Sequence, residues 1–102
     1  MIFLKDAAQF ISTAGRTVNF MENDIIMPLV GSELGKVYHY SENLPPKVKN
    51  HAVIIRTDLP KDAMFSALEA KYEEIKRMAK GTAMKRIYIK DIESLQIDMT
   101  LG

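Results

Sequence analysis

An α+β fold, with a small, twisted and mostly antiparallel sheet, one long helix and short flanking helices, follows from three features of this sequence. The run "HAVIIRT" (51–57) places β-branched Val53, Ile54 and Ile55 side by side, the signature of a strand buried on both faces. Residues 60–81 hold the longest stretch of helical spacing, and short strand-like runs on either side are punctuated by Gly and Pro. One domain spanning residues 1–102 accounts for the length. Internal repeats, heptads, low-complexity segments and linkers are not evident.

Taken in order, "LKDAAQFI" sets Leu4, Ala7, Ala8 and Ile11 on one helical face, which predicts a short opening helix. "STAGRT" breaks it, and "VNFMEND" predicts a short strand ending in a Glu22-Asn23-Asp24 turn. In "IIMPLV" the proline argues for an edge strand or a bulge, because Pro28 has no N–H to give to a ladder. "GSELG" is a turn in which Gly31 and Gly35 allow left-handed backbone. "KVYHY" alternates, with Val37 and His39 on one face and Tyr38 and Tyr40 on the other. "SENLPPKVKN" is a loop, and "HAVIIRT" the central strand.

The long helix enters at Pro60 and leaves at Gly81, burying Met64, Leu68, Ile75 and Met78, with Phe65, Ala67 and Tyr72 widening the stripe. "RIYI" predicts a strand and "KDIESL" a helical turn. "LQIDM" predicts a final strand with Leu95, Ile97 and Met99 inward. Met27, Met64, Met78 and Met99 are expected to fill gaps in the core.

The chemistry available is sparse. Without cysteine there is no disulfide, thiolate metal site or thiol nucleophile. His39 and His51 sit in separate segments without metal-ligand spacing, so no metal or other cofactor is expected. Glu73 and Glu74 splay apart on a helix, and Asp91 and Glu93 read as acids at a short helix start. "GSELGK" has the wrong glycine interval for a phosphate loop and is followed by a strand. Ser32, Ser41, Ser66 and Ser94 lack a nucleophile elbow, so a non-enzyme is expected. Met1 to Phe10 contains no apolar run of signal or membrane length, and the chain is read as cytoplasmic with no membrane partner.

Charge is the uneven property. Fourteen basic and thirteen acidic residues leave a formal net charge of only +1. Yet Lys71, Lys76, Arg77, Lys80, Lys85, Arg86 and Lys90 face only Glu73 and Glu74 within one window, a local excess of five. Lys80, Lys85 and Arg86 flank a small Gly-Thr-Ala turn. Two readings fit: cations at a helix end complementing its dipole, or a turn facing a polyanion.

The order of segments adds to this. Asp24, Ile25, Ile26 and Pro28 lead into Gly31, Gly35, Lys36 and Val37; Asn50, His51 and Val53 to Arg56 follow; then come a helix and Gly81, Thr82, Lys85, Arg86, Ile87, Ile89, Lys90, Asp91, Ile92, Leu95 and Ile97. This order resembles the distal part of a target recognition domain from the specificity subunit of type I restriction-modification systems. Compared with such domains, the part before Asp24 looks shortened, and the long spacer helix that normally follows the last strand is missing after "IDMTLG".

The resemblance implies non-catalytic, sequence-specific recognition of duplex DNA. Its partners would be the modification (methyltransferase) and restriction subunits, and a second recognition domain or a second copy of the chain. Lys80, Thr82, Lys85 and Arg86 would meet the phosphate backbone. Loops 12–16 and 41–49, with Arg16, Lys47 and Lys49, would approach the bases. The competing readings are a protein-interaction module that docks on a methyltransferase or specificity subunit without touching DNA, and a small ligand-binding or catalytic domain of the same class.

Overall fold

Strand β5 (Ala52–Arg56) organises the molecule, which is a computed structural model describing residues 1–15 and 17–98. It is paired on both sides, with β2 (Gln9–Ser12) and β3 (Ile25–Pro28), and β4 (Tyr38–His39) extends the sheet beyond β3. Every pairing is antiparallel, in the order β2-β5-β3-β4. Ala52 to Ile55 are all fully buried, as the β-branched run predicts. Alternation sends Val53 and Ile55 to one face and Ala52 and Ile54 to the other.

Those faces carry two unequal cores. The larger joins Ile25, Met27, Val53 and Ile55 to α2 (Lys61–Glu69), α3 (Tyr72–Arg77) and α4 (Ile89–Glu93) through Met64, Leu68, Ile75 and Ile92. The smaller packs Ile26, Ala52 and Ile54 against Val48, with Phe20 and Tyr40 stacked at its edge, ring centroids 4.9 Å apart. Val37 packs on the first core and Tyr38 and Tyr40 on the second, the alternation expected of "KVYHY". A separate pair, β1 (Ile2–Phe3) with β6 (Gln96–Ile97), closes the far end, with Leu95 and Ile97 buried. Met27 and Met64 are core residues as expected, Met78 is half-buried, and Met99 lies outside the described residues.

Several expectations are corrected. The opening helix is absent: a single 3-10 turn at Leu4–Asp6 leads into β2. Phe10 and Ile11 point to opposite cores, so pairing with β5 overrides the helical spacing. No strand forms over 17–21. Pro28 lies in an interior strand, not an edge or a bulge. Its nitrogen sits on the β4 side, beyond the end of β4, where its carbonyl accepts from Gly35 N (3.0 Å), so no ladder bond is lost.

The expected loop 41–50 contains a helical turn, α1 (Pro46–Lys49), started by a proline that presets its backbone. The long helix is two helices. At Lys71 the backbone (φ −101°, ψ 9°) leaves helical geometry, and its N–H bonds Leu68 O at 3.0 Å, one residue short of the helical partner. "RIYI" is not a strand, since Ile87 makes one cross-bond, to Leu29 O (2.9 Å), before α4 begins.

One ion pair ties β3 to β5. The register that sets Ile25 against Ile55 brings Asp24, 1% exposed, beside Arg56. Arg56 donates from Nε to Oδ1 and from Nη2 to Oδ2, both at 2.9 Å. Oδ2 also accepts from Met21 N (2.8 Å), and Nη2 reaches Asn19 O (3.2 Å). Hydrogen bonding to Asp24 holds the guanidinium further above its ordinary pKa. Arg56→Met strands a buried carboxylate and is expected to cost about 3–5 kcal/mol by urea denaturation. His51 holds φ +52°, so His51→Gly is expected to raise stability by about 0.5–1 kcal/mol in the same assay.

Candidate nucleic-acid interface

The basic turn is a closed loop held at its base. Lys80 N donates to Arg86 O and Arg86 N to Lys80 O, both at 2.9 Å, so Gly81 to Lys85 form the tip. Gly81 is required there: its φ is +123°, and a Cβ would sit 2.4 Å from Met84 O. Arg86 also bridges Val30, and the fully buried Ile87 pins the base to the core. Every residue from Lys80 to Arg86 is exposed. Because α3 ends at Arg77, it is Lys76 and Arg77 that occupy its last turn. The dipole acts within that turn, which leaves Lys80, Lys85 and Arg86 without a helix-end role.

The cations of the turn differ in their surroundings. Lys80 Nζ lies 3.3 Å from Asp91 Oδ2, a buried oxygen without a hydrogen bond of good geometry, and 6.0 Å from the Tyr88 ring centroid. Arg86 covers the same ring at 5.5 Å. Lys85 and Thr82 are exposed, and Lys85 has no carboxylate partner among the described residues. Asp91 is therefore both the first-turn acid of α4 and an anchor for Lys80, a pairing across eleven positions that local spacing does not reveal.

The nominated loops converge. Thr13 Oγ1 donates to Lys49 O (2.7 Å) and accepts from Ala52 N (2.9 Å), so segments 12–15 and 41–49 meet at the end of the sheet. Arg16 lies outside the described residues. Lys49 is half-buried beside Thr17 and Phe20. Lys47 is exposed and shares Glu33 with Lys36, at 3.6 and 3.2 Å. Glu33 stands in the loop that starts at Val30, the partner of Arg86, so the two basic groups are linked through residues 30–36.

His39 stacks on Phe65 with ring centroids 4.0 Å apart and has its Nε2 3.9 Å from Asp62 Oδ1, and no group of three metal-binding side chains occurs among the described residues. Lys76, a member of the basic window, and Tyr72, of the apolar helical stripe, line a groove beside the turn, a placement that helical spacing alone does not reveal.

The fold and this surface define a small antiparallel α+β module with cations gathered on one projecting turn. Over 94% of its length it superposes, with a TM-score of 0.76, on a crystal structure of the S subunit of a type I restriction-modification system from M. genitalium, at 17% sequence identity. The chain spans about a third of that subunit, so the resemblance read from residue order holds at the level of the fold. No protein-family model and no curated protein matches the sequence. No helix among the described residues is long and apolar enough to cross a membrane.

Glu33 also receives a short hydrogen bond from the Tyr38 hydroxyl, which, with the two lysines, holds its carboxyl below the usual range. Burial, then the bond to Glu33, pushes Tyr38 up to about 12. The Glu33 contribution to stability is present above the ordinary carboxylate range and lost as pH falls through its lowered pKa. That of Tyr38 is complete below pH 10 and lost as pH rises through about 12. Spectrophotometric titration is expected to show a tyrosine ionising near pH 12, and Tyr38→Phe to remove that component.

Proposed function

We propose that this chain is a non-catalytic recognition module for duplex DNA within a type I restriction-modification system. The observation that carries this reading is the S-subunit fold, which extends over nearly the whole chain. The exposed basic turn supports it as a local site for a polyanion, while the net charge of +1 favours the partner-docking alternative. Cations at 80, 85 and 86, with the Thr82 hydroxyl, meet backbone phosphates and set position. Loops 12–16 and 41–49, including Arg16, Lys47 and Lys49, offer side chains to base edges and set sequence. Methylation and cleavage belong to partner modification and restriction subunits, with a base flipped from the duplex by the former.

A second reading has its own observation. Met1, Ile2 and Phe3 are 81%, 39% and 42% exposed on the β1–β6 pair, an apolar end suited to a protein partner, either a methyltransferase, another recognition domain or a second copy. Fluorescence-anisotropy titration against a randomised duplex separates the two. DNA recognition predicts binding whose log K falls with log salt at a slope of about −2.7 for three phosphate contacts, lost when Lys80, Lys85 and Arg86 are all changed to Ala. Absence of wild-type binding at high micromolar concentration selects the partner-docking reading.

A further inference from the structure

Lys76 of α3 and Lys85 of the turn line one surface groove of about 380 Å³, walled by Tyr72, Ser32 and Met84. Most lysines near this region have a carboxylate at hand: Lys36 and Lys47 share Glu33, Lys71 has Glu74 and Lys80 has Asp91. Lys76 and Lys85 have none among the described residues. Lys76 Nζ instead lies 5.7 Å from the centroid of the Tyr72 ring, whose face attracts the ammonium without neutralising it. Two ammonium groups without a carboxylate partner on one groove, beside the exposed Ser32 side chain, favour an anion there.

Resting on the DNA-recognition reading, we infer that this groove seats the backbone of the bound duplex, with neighbouring phosphodiesters meeting Lys76 on one wall and Lys85 on the other. The contact surface thereby extends from the turn onto α3, and Lys76 becomes a DNA-binding residue. Lys80, beside Asp91, keeps its own phosphate contact, so Lys76 makes a fourth and the wild-type slope steepens to about −3.6.

The test is the salt dependence of binding to a randomised duplex for Lys76→Gln, Lys85→Gln and Lys71→Gln. Lys71→Gln removes the same charge from a residue that lines a different hollow and already faces Glu74. The slope of log K against log salt is expected to flatten by about 0.9 for each of the first two and to stay unchanged for the third. Lys76→Arg is expected to restore it, and matching thermal melts confine the comparison to folded protein. A wild-type slope in Lys76→Gln, with Lys85→Gln flattened, overturns the groove while leaving the turn intact. An equal change in Lys71→Gln overturns it too, since net charge alone then explains the effect. Absence of salt-sensitive binding by the wild type overturns the DNA reading itself, and this proposal with it.

Discussion

The pairing of Asp24 with Arg56 is the constraint on which the remaining geometry depends. Both partners of the fork are met, and the carboxylate also receives a backbone N–H from the preceding turn. Moving two charges out of water offsets much of their attraction, so the pair contributes more to uniqueness than to net stability. A one-residue slip of β3 on β5 would part them and would also exchange the side chains of the two cores. The main chain of Asp24 reaches further, its carbonyl accepting from Tyr40 N (2.9 Å) at the end of β4. Three strands are thus registered at one point, and the loops at the opposite end of the sheet inherit that precision.

The parts of the fold that were legible are those where local pattern and tertiary demand agree. Val53, Ile54 and Ile55 announce a doubly buried strand, and the run is central. Leu95 and Ile97 alternate inward, as their spacing requires. Where the two demands differ, the larger structure prevails. Ala7, Ala8 and Ile11 have helical spacing, yet β5 offers an unpaired edge that Gln9 to Ser12 fill. Pro28 looks like an edge residue until the shortness of β4 is known. The break at Lys71 leaves Met64, Leu68 and Ile75 on one core, so the apolar pattern passes through it unmarked.

The candidate interface was legible in composition and not in geometry. A local excess of positive charge can be counted along the chain, but the partners of each cation cannot. Lys80 differs from Lys85 because of Asp91, and Lys85 joins Lys76 only because Ile87 and Val30 draw the turn back onto the molecule. Folding sorts the charges of this region into tethered and untethered ones. Long-range ion pairs carry no periodic signal, which is why they were missed.

The base of the turn is secured almost wholly by main-chain bonds: Lys80 to Arg86 in both directions, and Ile87 to Leu29. Such bonds are indifferent to side-chain identity. Apart from Gly81, whose geometry admits no Cβ, the tip residues Thr82, Ala83, Met84 and Lys85 therefore carry little responsibility for the fold. Mutation can rewrite them at small cost to folding, which makes the tip an interchangeable cassette on a fixed mount. Divergence of the surface that the turn presents can proceed there quickly, while Gly81, Ile87 and the strands beneath them change slowly.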